Sequence, residues 1–346
     1  MGLSAVRNPF LLDTAAERWV DQTTKTLTLD EKIGQLIVPS FESSFLSTDS
    51  DTFDALVRLV REYHVGGFHV FGASQPAPPV LLNPGYGTVI LGQPLSAAFL
   101  INRLQALSAI PLLNTADFET GAGFRLAGAT AFPRQMAIGA IAPGEDLRLV
   151  REEARITAIE SKAIGVHVNF APIADVNNNP RNPVINTRSY GEDPARVASL
   201  VAAYVQGARD GGMIATLKHF PGHGDTDVDS HLGLPVITFD RARLDRLELV
   251  PFRRGVEQGA GAVMAAHIEL RALDPTPATP VTFSAPVLRR LLRDEIGFGG
   301  LVYTDSMSMD AVAKLLPPEE GAVRALLGGA DLVLHSPDPI AAFKGV

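Results

Sequence analysis

Eight times this chain repeats one pattern: a short, mostly apolar run, a polar turn, then a longer amphipathic stretch. The runs lie at residues 35–39, 66–71, 111–117, 166–172, 213–218, 262–267, 301–305 and 331–335. Helical patterns fall between them at 95–108, 146–162, 194–210, 241–258 and 285–295. Strands buried on both faces read as continuous apolar runs, and parallel neighbours need a crossover helix between them. The repeat therefore predicts an α/β fold of the TIM-type (β/α)8 barrel kind. A doubly wound open sheet is the competing architecture, but it asks for a glycine-rich phosphate turn after a strand, and no GxGxxG or P-loop occurs.

Polar residues gather where the apolar runs stop: Asp117 and Glu119, Asp175 with Asn177 to Asn179, then 218–231, His267 with Glu269, and Asp305. In a barrel those ends share one rim, where active sites form. The densest group, KHFPGHGDTDVDSH at 218–231, holds three histidines, three aspartates and a lysine in fourteen residues. Such a cluster is costly as core, so a solvated catalytic loop is expected. Asp229 stands two residues before His231, close enough in a tight turn to orient the ring and hold a proton on it. Asp305, in LVYTDSMSM, offers a carboxylate at the end of another strand. Together they suggest a histidine acid/base and an aspartate nucleophile. Asp310 lies five residues past that strand, where the first turn of a helix is its natural place.

Thirty Lys and Arg against 38 Asp and Glu give a net charge of −8, which argues against nucleic acid as a partner. The absence of cysteine excludes disulfides, a thiolate nucleophile and Cys-based zinc sites. Residues 1–10 are too short and polar for a signal segment, so a cytoplasmic protein is expected. Residues 88–101 are interrupted by Gln93, Pro94 and Ser96 well short of the roughly 20 apolar residues of a spanning helix, and no membrane segment is expected. Residues 72–93, with Pro76, Pro78, Pro79, Pro84, Gly85 and Gly87, read as a long surface loop. The pattern at 340–346 starts a helix of about two turns, which suggests a barrel truncated within its last helix. Oligomeric state leaves no mark in the sequence.

Four segments carry a resemblance: 218–231, NFAPIADVNNNPRNPVINTRSYGEDP at 169–194, FPRQMAIGA at 132–140 and YTDSMSMDA at 303–311. In this order, and over residues 28–335, they are similar to glycoside hydrolase family 3. The Asp-Ser-His ending resembles its β-N-acetylglucosaminidase branch. The resemblance implies that residues 1–346 are an N-terminal catalytic barrel, with any C-terminal α/β domain absent from this chain. It implies retaining cleavage of terminal β-linked N-acetylglucosamine from muropeptide or chitin-type oligosaccharides through a covalent glycosyl-enzyme, with neither cofactor nor metal. Asp305 matches the nucleophile, and His231 the acid/base held by Asp229. Asp117, Arg125, Arg188, Lys218 and His219 match the sugar-binding residues. His223 and Asp225 are read as shaping the loop, and Arg188 has Glu192 or Asp193 as alternative ion-pair partners. Three other readings stand beside it: phosphorolysis, a non-catalytic sugar-binding barrel, and a metal-dependent hydrolase using His219, His223 and His231 with Asp225, Asp227 and Asp229.

Overall fold

The structure, a computed structural model, describes residues 12–72 and 92–346. The predicted loop at 72–93 therefore lies almost wholly outside the described residues, as does the N-terminal segment 1–10. The strands are β1 (Ile37–Val38), β2 (Ser40–Glu42), β3 (His69–Phe71), β4 (Thr115–Ala116), β5 (Val168–Asn169), β6 (Ile214–Phe220), β7 (Val236–Ile237), β8 (Ala262–Ala265), β9 (Glu269–Leu270), β10 (Leu301–Thr304) and β11 (Val333–Leu334). Each expected apolar run holds one of them, with β6 running on to Phe220, two residues past the run at 213–218.

Parallel pairing runs β2–β3–β4–β5–β6–β8–β10. The ring then closes. Tyr303 bridges to Leu332, the Thr304 N–H donates to the Leu332 carbonyl at 3.0 Å, and β11 pairs with β1 through Ile37↔Val333 and Val38↔Leu334. Pro39 separates β1 from β2, so one stretch of chain serves both of its neighbours: β1 faces β11 and β2 faces β3. A doubly wound sheet would leave these edges unpaired; the fold is the (β/α)8 barrel. The remaining pair, β7 with β9, forms a small ribbon outside the ring.

Three apolar layers hold the barrel together. Val38, Val168, Phe170, Ala262, Met264, Tyr303, Leu332 and Leu334 form a cluster drawn from strands and their flanks alone, which is the filling of the barrel. Two larger clusters join strand residues to the helices outside, as with Leu217, Val263 and Val302 against Val201, Phe252 and Leu291.

The crossover helices start where the sequence says they should. Asp193 accepts from the Ala195 N–H at 2.8 Å and Pro194 takes the first turn of Pro194–Asp210. The single helix expected at 241–258 is instead two, Arg241–Arg246 and Leu249–Glu257, with Leu247 off helical geometry between them. Pro251 explains the break: it has no N–H, so restarting the helix at Leu249 puts it in a first turn, where that donor is unused anyway. The terminal helix Pro339–Gly345 is short, yet Ala342 is fully buried and Phe343 meets Tyr63 edge-on at 5.3 Å. No helix among the described residues is long and apolar enough to cross a membrane.

Candidate active site

β6 brings Lys218 and His219 to the rim, and its lysine is the hub of a charged cluster. Lys218 Nζ donates to Asp117 Oδ1 at 2.7 Å and lies 2.8 Å from Glu119 Oε1. Arg188 closes on Glu119 with two bonds, Nη2 to Oε1 at 2.7 Å and Nε to Oε2 at 3.0 Å. The other Asp117 oxygen faces His69 Nε2 at 3.3 Å and Arg125 Nη2 at 3.4 Å. Burial opposes charge on Asp117, yet Lys218, His69 and Arg125 together hold it well below the usual carboxylate range. Glu119 lies below that range as well, because Arg188 and Lys218 outweigh its burial. Burial also works against Lys218, but the two carboxylates raise it overall. Asp117, Glu119 and Lys218 thus form a charged set of donors and acceptors on the rim, beside the His69 imidazole, whose pKa burial lowers.

The segment 218–231 is not the solvated loop that its charge predicts. Lys218, His219, His223, Thr226, Asp229 and Ser230 are all buried with no buried side-chain polar atom left unpartnered, and only Asp227, Val228 and His231 of the segment are exposed. Asp175, at the end of the β5 unit and fully buried, does most of the pairing. It accepts from the His223 N–H at 2.7 Å and the His219 N–H at 3.1 Å, and meets His219 Nδ1 at 2.7 Å. Burial disfavours its charge, but His219, His223 and these bonds keep its pKa lowered. Gly224 permits the approach, because any Cβ there would overlap the Val176 carbonyl oxygen. His223 bonds to Thr226 Oγ1 at 2.7 Å and Ser230 Oγ at 3.0 Å, and burial pushes its imidazole down to about 4. Asp225 takes Arg243 at 2.7 Å. Both residues bind the loop to itself and its surroundings.

At the loop's end, Asp229 Oδ1 accepts from the His231 N–H at 2.9 Å and meets its Nδ1 at 2.7 Å. Asp229 is buried while the His231 side chain keeps 41% of its exposure, so the acid anchors a ring that still reaches solvent. Asp305 follows β10. Its N–H donates to the Ala265 carbonyl at 3.1 Å and its Oδ1 accepts from the Ser306 N–H at 2.7 Å. His267, buried behind it, contacts the Ser306 carbonyl through Nε2 at 2.9 Å and Thr282 Oγ1 through Nδ1 at 2.6 Å. Burial opposes ionisation of Asp305; His219, His267, His231 and the Ser306 N–H outweigh it and lower its pKa. One main-chain bond ties the two loops, from the Ala311 N–H to the Ser230 carbonyl at 3.3 Å.

All eight residues singled out in the sequence thus stand on one rim. Arg188 Nη2 lies 3.5 Å from His219 Nε2, which links the Lys218 cluster to the group around Asp305. Arg188 has Glu119 as its partner, while Asp193, one of the two acids near it in sequence, caps a helix. The sequence marked Glu119, Asp175 and His267 only as polar residues after strands, and it passed over His69 inside an apolar run. An acid or histidine embedded in strand residues was the available signal. Asp310 opens the short helix Asp310–Ala313 and pairs with Lys314 at 2.7 Å. Among the described residues no group of three or more His, Asp and Glu side chains is arranged to hold a metal ion.

Residues 28–346 match the model of the glycosyl hydrolase family 3 N terminal domain. A β-N-acetylglucosaminidase/β-glucosidase of Cellulomonas fimi is 34% identical over 336 residues, covering 95% of this chain and 54% of its own length. The solved structure of a family 3 β-N-acetylglucosaminidase from Paenibacillus sp. str. FPU-7 superposes with a TM-score of 0.81 at 41% identity, over 92% of this chain and 57% of that one. A solved β-glucoside phosphorylase superposes with a TM-score of 0.84 at 27% identity, over 98% of this chain and 57% of that one. The chain spans about half the length of the first curated relatives it matches. With the family model covering nearly all of its length and the barrel closed as described, the chain belongs to glycoside hydrolase family 3.

Proposed function

We propose that the barrel is the catalytic domain of a retaining β-N-acetylglucosaminidase. The observation that carries this is the His231–Asp229 pair at 2.7 Å, on a loop bonded to the segment after Asp305. With Nδ1 engaged by Asp229, Nε2 becomes the atom that gives and takes a proton. In the first step the Asp305 carboxylate attacks the anomeric carbon as His231 protonates the departing oxygen. In the second, His231 removes a proton from water, which displaces Asp305 from the sugar. The depressed pKa of Asp305 supports a nucleophile ionised throughout the neutral range. Asp117 accepts from sugar hydroxyls, and Lys218, Arg188, Arg125 and His219 supply donors to the remaining oxygens and the acetamido group. The N-acetylglucosaminidase relatives support the choice of sugar. Muropeptide and chitin-type oligosaccharides are the substrates proposed, in a cytoplasmic setting.

Asp305→Ala and His231→Ala test the assignment on an aryl β-N-acetylglucosaminide. Turnover should fall about 10³-fold or more for Asp305→Ala, and less for His231→Ala when the leaving group is good. Product followed by NMR should appear first as the β anomer. A rate near wild type from either variant, or α product first, overturns the proposal. Phosphorolysis is the second reading, favoured by the likeness to a β-glucoside phosphorylase. A histidine acid/base carries no negative charge to repel an incoming phosphate. A phosphate-dependent rate yielding a sugar 1-phosphate would select it.

A further inference from the structure

β4 and β5 pair only at Thr115↔Val168 and Ala116↔Asn169, and the Phe170 N–H to Ala116 carbonyl bond, 2.9 Å, ends that ladder. Past it the backbones part, but Phe118 does not go unpaired. The side chain of Asn169 takes over: its Oδ1 accepts from the Phe118 N–H at 2.8 Å, and its Nδ2 donates to the Phe118 carbonyl at 3.1 Å. A carboxamide offers the same donor and acceptor as a peptide unit, so it continues the sheet where the main chain cannot. Nδ2 also donates to Tyr204 Oη at 2.9 Å, from the helix Pro194–Asp210 behind the strand. Asn169, Phe118 and Tyr204 are all fully buried.

Phe118 is the residue between Asp117 and Glu119, the two carboxylates that share the Lys218 ammonium. Their spacing depends on how that one residue is held, and Asn169 grips both of its main-chain groups. We infer that Asn169, braced by Tyr204, is a positioning residue that sets the geometry of the Asp117–Lys218–Glu119 cluster for sugar binding. The inference rests on the proposed reading of that cluster as sugar contacts. Among the described residues none of the side-chain bonds made by Asn169 reaches a charged group, so its effect passes through the backbone of Phe118. Tyr204 carries the brace outward to the helix layer, which makes the rim geometry depend on a contact behind the barrel wall.

Asn169→Ala and Tyr204→Phe, made in the intact chain, test this through three readouts. These are steady-state kinetics on an aryl β-N-acetylglucosaminide, calorimetric titration with N-acetylglucosamine, and Tm. Asn169→Ala should raise both KM and the sugar Kd about 10-fold or more, with kcat changed less; Tyr204→Phe should raise them about 3-fold. A merely structural asparagine would lower Tm and the active fraction, which cuts kcat at unchanged KM and Kd, and that outcome overturns the inference. Should Asn169→Ala fail to fold, unchanged KM and Kd in Tyr204→Phe overturn it equally. Titration of Asp117→Asn reads the underlying assignment by itself: an unchanged Kd there removes the sugar-contact reading, whereas a raised Kd there with an unchanged Kd in Asn169→Ala overturns the clamp alone.

Discussion

Glu119 and Glu153 are buried to almost the same degree, at 3% and 2% exposure, yet they end in opposite states. Glu119, on the rim, meets Lys218 at 2.8 Å and two nitrogens of Arg188, and these cations overcome the cost of burial and keep it charged. Glu153 lies on the helix Glu145–Ala163, packed against Pro194–Asp210, and neither of its oxygens has a hydrogen-bond partner among the described residues. Burial alone pushes its carboxyl up to about 8. Depth therefore does not set the charge of an acid in this protein; the partners delivered by other strands do. On the rim, cations hold carboxylates ionised, and the helix layer leaves its acid neutral.

Removing the rim's cation should break this contrast most severely. Lys218→Met leaves Asp117 and Glu119 facing each other in a buried space without the ammonium they share, and stability should drop by about 3–5 kcal/mol in denaturant unfolding at pH 7. The sign with pH follows from the depressed carboxylates. Their contribution is present above the ordinary carboxylate range and is lost as pH falls through their lowered values, so the gap between wild type and variant should narrow in acid. An equal gap at pH 7 and pH 3 would show that Lys218 does not compensate these acids.

Glu153 sharpens the other side. Its raised pKa means that the stabilising preference for the neutral form is complete below about pH 4.5 and is lost as pH climbs towards 8. Glu153→Gln should therefore match wild type near pH 4 and exceed its stability by about 2–4 kcal/mol at pH 8. A constant difference between the two proteins across that range would mean that Glu153 is not protonated in the folded state. The smallest effect is expected from Arg188→Lys, which keeps the positive charge beside Glu119 but loses the paired geometry of the guanidinium. About 1 kcal/mol of stability should go with it, read from the unfolding midpoint.

The fold was largely legible because parallel barrel strands are buried on both faces, and a continuous apolar run records that directly. The break at Leu247 needed a closer reading of Pro251 within the predicted helix. Candidate residues could be placed too: Lys218 lies near the end of β6 and Asp305 just past β10, with Asp229 and His231 on the loop that follows β6, on the side where a barrel gathers polar groups. Their environment could not. Asp117 lies 101 residues before Lys218, Glu119 lies 69 before Arg188, and Asp175 lies 44 before His219. A charged segment read alone looks solvated, and only the folded neighbours turn it into a buried network. The near neighbours Glu192 and Asp193 were plausible partners for Arg188 for the same reason, since local spacing says nothing of what the next strand brings.

The proposed assignment of Asp305 is tested most directly by treating the protein with a 5-fluoro-N-acetylglucosaminyl fluoride, digesting it and locating the added mass by tandem mass spectrometry. Attack by the carboxylate after β10 predicts one sugar on the peptide containing Asp305, with activity returning as the adduct hydrolyses. A label on another carboxylate, such as Asp229, or steady turnover of the reagent with inverted product and no adduct, would contradict it.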